Sequence, residues 1–448
     1  MTPNIETIIK RNGEVVPYDR TKITEAIYKA AYSVGGHDKE LSETLAKQVE
    51  LVLNSAFEPG AVPSVEEIND IVERVLIENG HARTSKAFIL YRAERAQTRA
   101  RQKLDAPTTN SASIPYQMLY HVLNWNIEHG CDSIQKINAK MKDGSYADLV
   151  KAVDKTFEED IYAAAKQVIA RKDDLRLVII AGPSSSGKTT TTAKMAEYLR
   201  EAGLELVAMN LDHYYYDLEV HPQDEFGDYD FEGPEALDLP LINQHLKDLV
   251  DGKEIQMPQF DFPSGKRTDK TVPMKVEKHQ LILIDSLHGL YRKMTQSIAD
   301  EQKFRLYIET LSQIRGPDGK YIRWTDIRLL RRMVRDNVHR NYNPERTVGH
   351  WHYVRRSELK HIIPFINDVD FRLNSALPYE LPALKKQVFH FMPEILAKYK
   401  DEPKKMDAYI RAKRLHELLS AVDTLEDFSD IPETSLLREF IGGGIYGQ

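Results

Sequence analysis

The chain has 448 residues, 42% of them hydrophobic and 29% charged, with 61 Lys and Arg against 68 Asp and Glu for a formal net charge of −7. That length implies roughly two or three domains, and the acidic balance argues against a nucleic-acid-binding surface, which usually needs a basic stripe. A single cysteine, Cys131, excludes a disulfide framework and a Cys-based zinc site and fits a cytoplasmic protein; no run approaches the ~18 apolar residues of a membrane span, and Met1-Thr2-Pro3-Asn4-Ile5-Glu6 carries no signal-peptide core.

The first hundred residues read as one small α+β unit. Ile8 to Tyr18 predicts a hairpin around an Asn12-Gly13 turn. Asp19 is placed to cap a helix reaching about Ser33, with Ile23, Ile27, Ala30 and Ala31 on one face. A second helix is expected over Lys39 to Ser55. Ser64 and Glu67 form a capping box ahead of a third, which carries Ile68, Ile71, Val72, Val75 and Leu76. A fourth is expected from Arg83 to about Leu104. Residues 105–113 are polar and turn-rich, as a linker would be. Ile114 to Ala170 reads as helical without strands, a connector or helical subdomain.

From Leu175 the pattern changes to alternating strand and helix. Strands are expected at 175–181, 205–210, 281–285 and 304–308, which is the signature of a parallel sheet covered by helices. A strongly basic helix follows at Thr325 to Asn337. The stretch after about Pro393 reads as a helical, polar tail. The chain therefore divides into residues 1–100, a connector at 101–172, an α/β domain at 173–395 and a tail at 396–448.

The chemistry concentrates in the α/β part. Gly182-Pro183-Ser184-Ser185-Ser186-Gly187-Lys188-Thr189 is a complete G-x-x-x-x-G-K-[ST] loop between an apolar strand and a helix beginning near Thr190. Backbone N–H groups of such a loop wrap nucleotide phosphates at a helix N-terminus. Gly182, Ser184, Ser185, Ser186, Gly187 and Thr190 would form the cradle, Lys188 would reach the β- and γ-phosphates, and Thr189 would bind Mg²⁺. A Gly/Ser-rich turn with no ligand is the bland alternative. Asp212, after the second strand, stands where ligands meet the carboxyl ends of a sheet. It suits a base for an attacking hydroxyl, or a solvated loop acid. Asp285 ends a buried strand and suits a second metal partner, or a helix cap. Arg328, Arg331 and Arg335 recur at helical spacing and could close over phosphates, or form a solvated basic face. Phe260 to Arg267 sets aromatics beside a basic Gly-containing turn that could stack on a base or ribose.

Leu177 to Lys386 resembles the uridine kinase / phosphoribulokinase family of P-loop kinases. The resemblance rests on ordered segments: the loop, Asp212-His213-Tyr214-Tyr215, Asp230 through Asp238, Pro258 through Phe262 with Arg267, Ile284-Asp285, and Asp326 through Arg332. Val354-Arg355-Arg356, Asn374-Ser375-Ala376 and Leu436 through Gly443 are similar to a bacterial and archaeal subgroup of nucleoside or uridine kinases. The resemblance implies an ATP- and Mg²⁺-dependent kinase in which Asp212 is the base for a nucleoside 5′-hydroxyl. It places Tyr215 and Phe260 near the nucleoside, Glu232 on the ribose hydroxyls, and Arg267 and Arg328 at the substrate. Arg331 and Arg335 would contact phosphates. Relatives that read a pyrimidine use a Tyr and a His where this chain has Phe260 and Gly265, so the acceptor could be another nucleoside, a sugar phosphate or another small alcohol. A nucleotide-responsive regulator without turnover is the remaining alternative.

Ile5 to Arg95 resembles an ATP-cone, the nucleotide-sensing domain of ribonucleotide reductases and their repressor. Its residues are Ile9 through Gly13, Val16, Tyr18, Lys22-Ile23 and Ala87 through Arg92. The resemblance implies Lys10, Arg11 and Lys22 as phosphate contacts, ATP or dATP as ligand, and a homo-oligomer.

Overall fold

The apolar run Leu177-Val178-Ile179-Ile180-Ala181 is fully buried and forms the central strand of a five-stranded sheet. In this computed structural model residues 5–9, 15–57, 60–89, 115–221, 233–261, 264–402 and 405–446 are described. The Asn12-Gly13 turn, the 105–113 linker, the end of the helix expected to reach Leu104, and the site candidates Lys10, Arg11 and Glu232 lie outside them. The chain separates into two compact units, residues 1–110 and 111–448.

In the first unit β1 (Thr7–Ile9) pairs antiparallel with β2 (Val15–Pro17), Ile8 opposite Val16. The Asp19 carboxylate accepts the Thr21 amide at 3.0 Å and starts α1 (Arg20–Tyr32). Asp38 caps α2 (Lys39–Ala56) through the Leu41 amide at 2.8 Å. Ser64 and Glu67 complete a reciprocal capping box at α3 (Val65–Glu78). Ile23 and Ile27, Leu45 and Val49, and Ile68, Val72 and Val75 are spaced three or four apart, so each helix turns one apolar stripe into a shared core.

The second unit opens with α4 (Tyr116–Glu128), α5 (Ile134–Asp143) and α6 (Tyr146–Ala170). The sheet follows: β3 (Leu177–Ala181), β4 (Glu205–Ala208), β7 (Gln280–Ser286), β8 (Lys303–Glu309) and β9 (Phe371–Asn374), in the order β4-β7-β3-β8-β9 and parallel throughout. Parallel strands need both faces covered, which explains the unbroken apolar run of the central strand β3. Successive β3 side chains point to opposite faces. Val178 and Ile180 enter a core with Phe157 and Ile161 of α6, and Leu177, Ile179 and Ala181 enter one with Leu211, Ile242 and Leu246. Between the strands run α7 (Lys188–Glu201) and α8 (Leu239–Val250), then a separate antiparallel hairpin of β5 (Ile255–Asp261) and β6 (Lys266–Met274). After β8 come α9 (Trp324–Arg340) and α10 (Pro344–His361). After β9 come α11 (Glu380–Val388), α12 (Met392–Tyr399), α13 (Met406–Ser420) and the single turn α14 (Arg438–Ile441).

Several features differ from the sequence expectation, the β5–β6 hairpin among them, since only helices were expected between the second and third strands. The second strand stops at Ala208, because the Asn210 side chain accepts the Asp212 amide at 3.0 Å and opens a 3-10 turn, Leu211–Tyr214. The edge strand β9 was not expected, since Phe-Arg-Leu-Asn is short and half polar. The polar tail turns out to be core material: Ala408, Ala412, Leu415, Leu419, Leu437 and Phe440 are all fully buried against the sheet's helices. Each buried leucine contributes roughly 1.5–3 kcal/mol to that docking.

The end of the chain is also pinned by polar groups. The Tyr379 hydroxyl donates to Asp154 of α6 and meets the Ser435 hydroxyl at 2.8 Å, and Tyr146 of α6 donates to the Tyr379 carbonyl at 2.7 Å. Tyr379→Phe leaves the buried Asp154 carboxylate short of a donor, which should lower the unfolding free energy by about 1–3 kcal/mol. Urea unfolding followed by circular dichroism reads this directly.

Candidate active site

The loop after β3 is built around positions with little steric room. A Cβ on Gly182 would lie 2.6 Å from the Ile308 carbonyl oxygen and 2.7 Å from the Ser186 hydroxyl. Gly187, at φ +89°, caps α7 in a left-handed conformation that glycine alone adopts without strain, and Ser185 also has positive φ at 59°. The Ser185 and Ser186 hydroxyls are buried without a hydrogen-bond partner. Buried polar groups are rarely left unpaired, and an anion in the cradle would satisfy these two. Lys188 folds back on the loop, donating to the carbonyls of Gly182 at 3.0 Å and Pro183 at 3.3 Å. Burial pushes its ammonium pKa down, against the pull of Asp285 and Glu439. Thr189 is exposed in the first turn of α7.

Two carboxylates share this electrostatic neighbourhood. Asp285 stands at the carboxyl end of β7 beside β3, where Thr192 donates to it at 3.3 Å. Burial raises its pKa and Lys188 opposes the rise. Asp212 sits on the 3-10 turn after β4, at the same sheet edge. Its carboxyl is raised by burial, with His213, Lys188 and Arg340 pulling the other way. An acid, a cation and a phosphate-shaped loop thus meet at the carboxyl ends of parallel strands.

The arginines of α9 divide into two sets. Arg328 and Arg331 were expected over the phosphates, but both side chains are essentially fully buried. The Arg328 guanidinium donates to both oxygens of Glu358, at 2.6 and 2.9 Å, and to the Ser184 carbonyl at 3.0 Å. Arg331 is paired with Glu380 and donates to the Ser375 carbonyl at 2.6 Å, with a longer contact to the Ser185 carbonyl at 3.5 Å. These two brace the loop from behind, which is a positioning role. The reason lies in α9 itself: Leu329, Leu330 and Met333 bury the same flank, so the arginines beside them need buried carboxylate partners. Arg332, with one nitrogen 3.3 Å from the Ser184 hydroxyl, and Arg335, whose charge acts on Lys188, retain side-chain exposures of 18% and 19%. These two keep partial access to the cradle, with Asp336 holding both.

The turn that carries Asp212 leads into an aromatic wall. Tyr215 and Phe260 have ring centroids 5.7 Å apart, and His221 lies 5.9 Å beyond Tyr215. His213 accepts the Phe260 amide at 3.2 Å, tying the turn that carries Asp212 to the β5–β6 hairpin. Arg267 strengthens the tie through Asp238 at 3.1 Å and the carbonyls of Tyr214 and Tyr215 at 2.9 and 3.1 Å. In this arrangement Arg267 holds the wall together.

Residues 177–377 match the family model of the Phosphoribulokinase / Uridine kinase family, and residues 6–97 match that of the ATP cone domain. The chain carries a P-loop kinase domain of the phosphoribulokinase / uridine kinase family. Uridine kinase of Staphylococcus aureus is 29% identical over 175 residues, which is 39% of this chain and 75% of the relative. Among solved structures, a candidate fructose transport system kinase from Silicibacter sp. TM1040 aligns at TM-score 0.34 and 18% identity, over 47% of this chain and 98% of its own. D-glycerate 3-kinase from Cryptococcus neoformans aligns at TM-score 0.26 and 15% identity, over 60% and 90%. The match over residues 177–377 supports a phosphotransferase, a family in which ATP is the implied phosphoryl donor. Among the described residues no helix is long and apolar enough to cross a membrane.

Sequence reading alone missed Glu358, Glu380 and Glu439 as parts of this site. Each is a lone acid far along the chain from the loop, and only the fold brings it there. Glu358 carries a clear consequence. Burial alone would raise its carboxyl, but Arg328 and Arg355 hold it down at about 2. A depressed carboxyl stabilises the fold fully above its unfolded value of 4.5 and loses that contribution as pH falls toward 2. Glu358→Gln should cost about 3 kcal/mol at neutral pH, because the buried Arg328 is left with only the longer ion pair to Glu309 at 3.5 Å. The gap from wild type should narrow as unfolding is measured at pH values falling below 4.5.

Proposed function

We propose that this protein transfers the γ-phosphoryl group of ATP to a hydroxyl of a nucleoside or a closely related small alcohol, under the influence of nucleotide bound to its ATP cone. The observation carrying this reading is that Asp212, on the turn after β4, feels the charge of Lys188 in the loop after β3, which pulls its carboxyl back against the rise caused by burial.

In this reading the loop amides and Lys188 hold the triphosphate, and the orphaned Ser185 and Ser186 hydroxyls gain acceptors. Tyr215 and Phe260 offer flat apolar surface to the acceptor, whose hydroxyl faces Asp212. As the oxygen attacks the γ-phosphorus, Asp212 accepts its proton, the new O–P bond forms, and the bond to the β-phosphate oxygen breaks to release ADP. Lys188, Arg332 and Arg335 offset the charge that moves to the leaving group. Thr189 and Asp285 would hold Mg²⁺, which would supply charge neutralisation for the triphosphate. Glu232 completes the acceptor site by resemblance alone.

The acceptor is a nucleoside in the first reading, with transfer to the 5′-hydroxyl. Phe260 and Gly265 favour a second. Neither can donate a side-chain hydrogen bond to a pyrimidine edge, and a site without such groups discriminates weakly between bases. A sugar phosphate or another small alcohol fits the same acid, aromatic pair and loop. In the cone, Lys22 is exposed in the first turn of α1 and would meet nucleotide phosphate with Lys10 and Arg11. Cone and kinase would be coupled as two nucleotide sites whose occupancies bias each other.

Release of ADP, measured with ATP, Mg²⁺ and a panel of nucleosides and sugar phosphates, tests this reading. One acceptor should stimulate turnover strongly, and Asp212→Asn should lower kcat by about 10²–10⁴-fold while leaving ATP binding in place. Because the Asp212 carboxyl is raised, the rate should fall on the acid side at a pH above its ordinary value of 3.8. No stimulation by any acceptor, with ATP still bound, would favour a nucleotide-responsive regulator instead.

A further inference from the structure

We infer that the C-terminal segment Leu436–Tyr446 is a built-in competitor for the nucleotide site, with the Glu439 carboxylate standing where a phosphate oxygen of the nucleotide must bind. This rests on reading the loop as the nucleotide site and adds a control to it.

Thr190 lies in the first turn of α7, immediately after the loop's Lys188-Thr189 pair. Amides of that turn point toward the anion cradle and carry the positive end of the helix dipole. The Thr190 amide is not free. It donates to Glu439 Oε2 at 2.9 Å, and the Thr190 hydroxyl donates to the same oxygen at 2.8 Å. Glu439 is 8% exposed. Its charge is felt at Lys188, where it favours the ammonium, and at Asp285, where it disfavours the carboxylate. The side chain therefore lies among the groups assigned to the triphosphate and its metal. Deeper in the cradle, the Ser185 and Ser186 hydroxyls lack any partner. The carboxylate has taken one anion-binding position and left the rest of the cradle unsatisfied.

The same segment touches the loop again. A Cβ on Gly187 would lie 2.4 Å from Leu436 Cδ1, so the left-handed glycine that caps α7 packs directly on this segment. Beyond Glu439 the chain runs through Gly442 and Gly443, at φ +84° and +72°, and reaches α7 again, where Tyr446 donates to Glu197 at 2.8 Å. These outer contacts are few and partly exposed, while Phe440 and Leu437 are anchored in the core. A carboxylate and a phosphate cannot share one amide, and two like charges at that spacing repel. Seating the triphosphate thus requires Glu439 to leave Thr190, by rotation of its side chain or by movement of the turn 438–441. Binding of nucleotide and docking of Glu439 are then mutually exclusive, and each weakens the other by the same factor.

The test uses the full-length protein with Mg²⁺ and a non-hydrolysable ATP analogue. Binding to wild type, Glu439→Gln and Lys188→Ala is measured by calorimetry, and Lys188→Ala separates the loop site from binding at the cone. Glu439→Gln keeps the shape and removes the charge. The Lys188-dependent site should bind the analogue about 2- to 5-fold more tightly in this variant. In wild type, hydrogen exchange of residues 436–446 should speed up when the analogue is present. Unchanged or weaker binding by Glu439→Gln, or slower exchange of 436–446 on binding, overturns the inference and makes Glu439 a fixed cap of α7. If Glu439→Gln melts well below wild type, the exchange measurement on wild type decides. If wild type and Lys188→Ala bind the analogue alike, the loop is not the nucleotide site, and the reading beneath this inference fails with it.

Discussion

A buried ion pair behind the phosphate-binding loop governs this kinase domain. The loop after β3 must hold its carbonyls away from the anion and its amides toward it, with Ser185 and Gly187 at positive φ. Arg328 makes that shape affordable by binding the Ser184 carbonyl while Glu358 neutralises it. Arg331 and Glu380 repeat the arrangement one turn further on. Two guanidinium–carboxylate pairs in an apolar interior are poor sources of net stability. What they supply is a loop conformation fixed in advance, so that binding need not order the cradle.

This arrangement ties distant parts of the chain to one function. Arg328 and Arg331 come from α9, Glu358 from α10 and Glu380 from α11, while Leu436 and Glu439 arrive from the last turn of the chain. The aromatic wall uses a different device. Arg267 and His213 bind backbone groups, so the hairpin and the Asp212 turn are held by polar contacts at a half-exposed surface. The phosphate side is therefore rigid and deeply buried, and the acceptor side is built from loops that sequence change can alter at little cost to the fold.

Much of the fold could be read directly. β3 and the Leu281–Ile284 core of β7 are continuous apolar runs, and their buried character in a parallel sheet is what makes such runs visible. The capping box at Ser64 and Glu67 and the Asp19 cap were legible because both signals act within three residues. The loop was legible for the same reason, since its chemistry depends on eight consecutive positions. The arginines of α9 show where local reading stops. Their helical spacing was clear, but whether they face phosphate or buried carboxylate depends on Glu358 and Glu380, 30 and 49 residues away. Likewise the tail reads as polar because Arg411, Arg414 and Arg438 surround its apolar positions, yet Arg411 bonds the Val348 carbonyl and Arg414 the Asp326 carboxylate inside the unit. Charge on a sequence does not say whether its partner is water or another side chain.

The central claim is that the loop, Asp212 and the aromatic wall form one phosphoryl-transfer site. Following ATP, Mg²⁺ and the acceptor panel by phosphorus NMR tests it most directly, because the spectrum distinguishes transfer from hydrolysis. The account predicts a new phosphomonoester resonance growing in step with ADP in the presence of one acceptor. ADP appearing with inorganic phosphate alone, whatever acceptor is present, would contradict it.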